Sequence, residues 1–164
     1  MYNNFIEEVE EKVMNDYNEF YRIFREKLEE NKSIFPVAFE IPNHQKNRAY
    51  MSYKLGKSKI DCYTEYTSGG YGQGYIGFVV GVFIGSTVHE SYESRLHKLQ
   101  QHKDEIEATI GEKLHWIDTG RAGRIFFLLE EEFNNINNWD SIMNWEIEKL
   151  AKIIPAFKKY IKGL

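Results

Sequence analysis

Several stretches of this chain combine residue types that do chemistry, and each lacks a partner. Gly56-Lys57-Ser58 resembles the close of a phosphate-binding loop, in which backbone amides and a lysine cradle a nucleotide. That motif needs a glycine five positions earlier and a helix afterwards, whereas the chain has Met51 and then strand-forming residues. Asp61 and Glu65 stand four apart in a β-type run, so they share a face and could hold a divalent ion for phosphodiester cleavage. A restriction-type centre adds a lysine two residues after its acid, and the chain has Tyr63 and Thr67 there. His89, Glu93 and His97, at four-residue steps, would line one helical flank, compatible with zinc, but a solvated flank explains the same residues. The loop from Gly69 to Gly74 lacks the lysine and following helix of a phosphate cradle and reads as a flexible hairpin connection. No catalytic residue, metal site or cofactor is therefore expected.

A different chemistry is suggested by the cations. Lys46, Arg48, Lys54, Lys57 and Lys59 fall in a stretch with no acid between His44 and Ile60, interleaved with Tyr50 and Tyr53. Arg121 and Arg124 bracket a turn further on. Hairpin tips carrying lysine, arginine and aromatic groups suit contact with a nucleic-acid backbone, and Tyr53, Lys54, Lys57, Lys59, Arg121 and Arg124 are the expected contact residues. The same lysines would also guard an exposed strand edge against pairing with another chain.

The elements that must position these residues follow from periodicity. Ile6, Val9, Val13, Tyr17, Phe20, Phe24 and Leu28 recur at three- and four-residue intervals, which predicts a long N-terminal helix. Pro36 and Pro42 bracket an irregular or edge segment in which Val37, Phe39 and Ile41 alternate. Ala49 to Leu55 and Ser58 to Tyr66 read as strands joined by a tight Gly56-Lys57 turn. In the strand from Tyr75 to Gly85, Ile76, Phe78, Val80, Val82 and Ile84 take one face. Its other face carries Gly77 and Gly81, which suggests close approach of a helix.

Ser86 or Thr87 is then placed to cap a central helix, Thr87 with Glu90 in a capping box. That helix presents Tyr92, Leu96, Leu99, Ile106 and Ile110 on one stripe and stops at Gly111. A hairpin of Lys113 to Asp118 and Arg124 to Leu129 follows, and a last helix begins near Trp139 and should kink or restart at Pro155. The expected fold is a single α+β domain over 1–164. It has an antiparallel sheet of four to five strands, with the long N-terminal helix, a central helix and a C-terminal helix packed mainly on one face. Lys103 and Glu146 interrupt the stripes of the central and last helices, so the pair is expected to meet at a seam, where an unpartnered charge would be costly.

The totals limit the function classes. A chain of 164 residues is about one domain's worth, and its formal charge of −4 argues against coating nucleic acid by excess positive charge, leaving a local basic face as the route to contact. One cysteine, Cys62, permits neither an internal disulfide nor a cysteine metal cluster, which fits a reducing cytosol. The N-terminus lacks a signal core and no apolar run reaches the roughly 20 residues of a membrane span, so a soluble cytoplasmic protein with no membrane partner is expected.

Several stretches together carry a family resemblance: Tyr53-Lys54-Leu55-Gly56-Lys57-Ser58, the run from Leu99 to Glu107 continuing through Gly111-Glu112-Lys113-Leu114-His115-Trp116, Arg121 with Arg124-Ile125, and Trp139 with Trp145. From about Tyr17 onward the chain resembles an uncharacterised bacterial and archaeal domain family, a domain of unknown function often found C-terminal to restriction-endonuclease-like nuclease domains. The resemblance implies a module used around DNA restriction or mobile-element defence, for binding or assembly, with no catalytic residue to carry over. The leading expectation is a non-catalytic module that contacts nucleic acid or a nuclease partner. A protein-interaction or self-assembly domain that forms a homo-oligomer is the alternative from another class. A cryptic metal-dependent nuclease using Asp61 and Glu65 is the third.

Overall fold

The computed structural model describes residues 2–36 and 38–164. Helix α1 (Tyr2–Glu30) is followed by strands β1 (Tyr50–Lys57), β2 (Ile60–Gly70) and β3 (Tyr75–Ile84), helices α2 (Tyr92–Gln100) and α3 (Lys103–Ile110), strands β4 (His115–Asp118) and β5 (Gly123–Leu129), and helix α4 (Trp139–Ile161). The five strands form one antiparallel sheet in the order β1-β2-β3-β5-β4, so the fold is α+β.

Strand alternation sorts the sheet into two unlike faces. Met51, Tyr53 and Leu55 of β1, Ile60 and Cys62 of β2, Phe78, Val80, Val82 and Ile84 of β3, and Ile125 and Phe127 of β5 point into one core. The helices meet them there: Phe20, Tyr21, Phe24 and Leu28 from α1, Leu96 and Leu99 from α2, Ile106 from α3, and Met143, Leu150 and Phe157 from α4 belong to the same cluster. Phe20 lies 5.5 Å from Phe78 and 5.2 Å from Trp139, ring to ring, which ties α1, β3 and α4 together. Burying each such side chain contributes roughly 1.5–3 kcal/mol of transfer free energy.

Several local expectations are corrected. In α1, Ile6 is 50% exposed, and Val9 and Val13 lie outside the described side chains, as Val37 lies outside the described residues. The described residues from Pro36 to Pro42 take the irregular form, one of the two expected there, with Phe35 and Phe39 stacked at 4.2 Å and buried. The β1–β2 turn is Ser58-Lys59, two residues beyond the expected position, because Lys57 pairs with Ile60 and Gly56 falls in a register shift between Lys54 and Lys57. The central helix starts at Tyr92 with Ser91 as its cap, while Thr87 Oγ1 accepts from the His89 and Glu90 amides in a preceding turn. It also breaks at Gln101-His102 into α2 and α3. Helix α4 continues through Pro155 to Ile161.

Lys103 keeps its spacing to Ile106 and Ile110 but is exposed as the first residue of α3, and the expected Lys103–Glu146 pair does not form. The charged contact between this region and α4 is made instead by Lys149, whose Nζ donates to Glu112 Oε1 and Oε2 at 2.7 and 2.6 Å. Glu146 is fully buried and neither carboxyl oxygen has a hydrogen-bond partner.

Candidate binding face

Among the described residues no helix packs on the other face of the sheet. Pairing register lays its side chains out in rows across the strands. Lys54, Asp61, Phe83, Arg124 and Ile117 form one row; Ser52, Tyr63, Gly81, Phe126 and His115 form the next. The close spacing in the second row depends on Gly81, where an added Cβ would stand 2.7 Å from Phe126 Cβ and 2.8 Å from the Ile125 carbonyl oxygen. The glycine-bearing face of β3 thus receives aromatic side chains, and the expected close approach of a helix on that side is not found.

Lys54, Lys57 and Lys59 converge at the β1–β2 hairpin, around a recess that also involves Gly56, Ser58 and Asp61. Lys54 reaches Asp61 at 3.3 Å, and Lys57 Nζ donates to the Leu164 carbonyl oxygen. The pairs Ile60–Ile84, Ile84–Gly123 and Asp118–Gly123 place the β4–β5 turn, with exposed Arg121, at the same end of the sheet. Three strand spacings, roughly 14 Å, separate the two turns. Buried Arg95 fixes that end from beneath: its Nη1 donates to the carbonyls of Ser58 at 2.8 Å and Gly85 at 3.1 Å. The arginine turn is held by Asp118, which accepts from the Gly120 amide at 2.7 Å and from the Tyr92 hydroxyl at 2.9 Å.

Tyr53 sits apart from these cations. It is 1% exposed on the helix-covered face, and its hydroxyl shares a hydrogen bond with Thr64 Oγ1 at 3.1 Å. Strand alternation requires this once Lys54 faces outward, since neighbours in a strand point to opposite sides.

Arg124 organises the middle of the outer face. Its guanidinium carbon lies 4.6 Å from the Tyr71 ring centre, 4.8 Å from Tyr63 and 5.2 Å from Phe83, with Nη1 3.7 Å from Glu65 Oε2. Burial works against its charge, but the Tyr63 and Tyr71 hydroxyls and Glu65 outweigh that effect and leave its pKa above the usual value. Burial pushes the Tyr63 hydroxyl up to about 12 against the pull of Arg124. Burial, reinforced by Tyr63 and Glu65, keeps Tyr71 protonated, so that it donates to Glu65 Oε2 at 2.6 Å. Beside this group lies an open cavity of about 320 Å³ lined by Tyr50, Ser52, Asp61, Tyr63, Glu65, Phe83 and Arg124.

Tyr71 comes from the β2–β3 loop, which folds back over the sheet as a flap. Its ring is 5.3 Å from Phe126, that of Tyr75 is 5.2 Å from Phe126, and Gln73 Nε2 donates to the Asp118 carbonyl oxygen at 3.5 Å. Beneath and beside the flap Tyr63, Val79, Ile117 and Phe126 form a second, small apolar cluster. Gly69, Gly72 and Gly74 have φ of 76°, 69° and 76°, with open space where a Cβ would stand. Glycine is thus required there by the backbone path and not by packing.

Asp61 and Glu65 share the outer face, as their spacing predicts, yet each faces a cation. Among the described residues no three His, Cys, Asp or Glu side chains converge as a metal site. His89 precedes α2, which removes it from the proposed zinc flank. Tyr63, Tyr71 and Phe83 were not among the expected contact residues. Parity could have found two of them: Tyr63 shares a face with Asp61 and Glu65, and Phe83 lies opposite Asp61 in the register. The fold-back of Tyr71 has no comparable sequence signal.

No described helix is long and apolar enough to cross a membrane. The sequence profile of a domain of unknown function, DUF4268, matches residues 16–161, and the chain belongs to that family. No match to the chain was found among curated proteins or solved structures.

Proposed function

We propose that this DUF4268 member is a non-catalytic module that contacts nucleic acid, alone or beside a nuclease partner in restriction or mobile-element defence, through the helix-free sheet face and its basic end. The carrying observation is the row from Lys54 to Arg124, bordered by Lys57, Lys59 and Arg121 at one end of the sheet and by aromatic rings on the other side. Cations along the sheet end suit phosphates, and half-buried Phe83 and Tyr50 beside a cavity suit stacked bases. Asp61 and Glu65, held by Lys54 and Arg124, keep the centre of the face close to neutral. Specific positive charge is thereby concentrated at the hairpin tips, in keeping with an acidic chain that binds locally.

Fluorescence anisotropy with labelled single-stranded and duplex oligonucleotides tests this reading across a salt series. Three phosphate contacts by Lys57, Lys59 and Arg121 predict a slope of log K against log salt of about −2 on a single strand. Lys59→Glu combined with Arg121→Glu should remove most of that slope. No binding to DNA or RNA at low salt would overturn the proposal.

A second reading, a protein partner or a second copy of the chain, is favoured by Ile76, 55% exposed next to Tyr75 at the flap end of β3. A solution mass that rises with concentration, without nucleic-acid binding, would select it, and Ile76→Lys should then return the monomer mass.

A further inference from the structure

We infer that Tyr71 occupies the place of an unpaired nucleobase and that the glycine-rich β2–β3 loop is a lid, displaced when a single strand binds. The inference rests on the nucleic-acid reading above and adds to it the class of strand and the residue that competes with it. Tyr71 lays a planar ring against the Arg124 guanidinium at 4.6 Å, within a slot whose other walls, Tyr63 and Phe83, are also aromatic. A nucleobase presents the same kind of π-face and could replace the ring without rearranging the sheet. A duplex could not, because its bases are stacked in the helix and only splayed bases reach such a slot.

The ties holding Tyr71 are few and local to side chains. Its hydroxyl bonds to Glu65 and, at 3.0 Å, to the Tyr63 hydroxyl, while the loop tip has the 3.5 Å contact from Gln73 to Asp118. The loop backbone turns through Gly69, Gly72 and Gly74, which have open space at their missing Cβ positions, so lifting the segment costs chiefly the contacts that the Tyr71 ring makes with Arg124 and Phe126. When it lifts, Glu65 keeps its contact with Arg124, and the rings of Tyr63 and Phe126 become available.

Charge sets the direction of the strand. Lys57, Lys59 and Arg121 lie beyond the Lys54–Arg124 row at one end of the sheet, and Glu130, Glu131 and Glu132 follow β5 at the other. A single strand crossing the β-strands at the basic end would put phosphates against the hairpin tips and one base against Arg124 in the place of the Tyr71 ring.

The test compares the full chain with Tyr71→Ala, Tyr71→Phe and Arg124→Lys, using labelled oligo-dT and oligo-U and a duplex of equal length. Removing the competing ring should tighten single-strand binding about tenfold in Tyr71→Ala, the size of one stacking contact, and leave duplex binding unchanged. Tyr71→Phe keeps the ring but loses its two hydroxyl ties, and should give a smaller gain. Arg124→Lys keeps the charge but not the planar surface, and should abolish the gain when combined with Tyr71→Ala. Adding oligo-dT to the unsubstituted chain should speed amide exchange over Gly69 to Gly74. If the chain binds single strands but Tyr71→Ala weakens binding or leaves it unchanged, the lid is overturned while the nucleic-acid reading stands. An equal gain on duplex overturns the single-strand assignment. If neither the chain nor Tyr71→Ala binds, both readings fall together.

Discussion

Replacing Glu146 should make the protein more stable, and the effect should depend on pH in a defined direction. The carboxyl group is fully buried on α4, with neither oxygen bonded, and burial drives its pKa well above the ordinary glutamate value of 4.5. The titratable groups near it are the hydroxyls of Tyr21 on α1 and Tyr53 on β1, both raised first by their own burial and then further by a charge on Glu146. Neither supplies a positive charge.

A folded-state pKa above the unfolded one means that the folded chain keeps a proton that the unfolded chain releases. The contribution is complete below the unfolded pKa and is lost as pH rises toward the folded pKa, at about 1.4 kcal/mol per pH unit. Glu146→Met fills the same space without a polar group. It should therefore gain about 1–3 kcal/mol near the carboxylate's ordinary pKa, from the removal of an unbonded buried acid, and more at higher pH. Glu146→Gln cannot ionise and should flatten the pH dependence while gaining less, because its amide is still unbonded. Urea unfolding of the three proteins at intervals from about pH 5 to 8 measures the difference directly, and taking variant minus parent removes the histidines common to all. A difference that does not change with pH, or a destabilised Glu146→Met, would refute the reasoning and show that the carboxylate has a partner in solution.

Two other substitutions test how the binding face is held. Gly81→Ala should cost about 1–3 kcal/mol by thermal or denaturant unfolding, because its Cβ would meet the Ile125 carbonyl oxygen at 2.8 Å and that backbone cannot easily retreat. Arg95→Leu should cost about 2–3 kcal/mol through loss of its charged donors to Ser58 and Gly85, and nuclear magnetic resonance shifts should move most at the β1–β2 turn.

Much of the fold could be read from the chain because apolar spacing is regular where burial is regular. From Phe78 to Ile84 the inward positions of β3, and the apolar positions of α4, fall where periodicity puts them, whereas Ile76, expected on the same face, is exposed. The departures come from residues with two roles. Gly56 looks like a turn residue, but its positive φ is used in a strand irregularity, while Lys59 takes the left-handed turn position at φ 62°. Lys103 shares a helical face with Ile106 and Ile110, yet after the break at Gln101-His102 it opens α3 and is exposed there, which spacing alone does not show. Among the expected site residues, the hairpin lysines come together because they are close in sequence, and Arg121 joins their end of the sheet through strand order, which no local pattern encodes. Tyr53 is the instructive case, since alternation alone puts it and Lys54 on opposite faces. The partnership of Tyr71 with Arg124 is a long-range contact made by a loop, and composition at that loop predicts only flexibility.

The unequal covering of the sheet also has a consequence for proteolysis. One face is sealed by four helices and the other by a glycine-rich strap that shields a small cluster of Tyr63, Val79, Ile117 and Phe126. A protease could enter a lifted strap near Gly72 while the helical side remained shut, since local opening there does not require the main core to separate. The cut would fall between β2 and β3, whose ten paired positions would hold the fragments in one particle. The chain would then survive as a two-piece protein that had lost the part covering its open side.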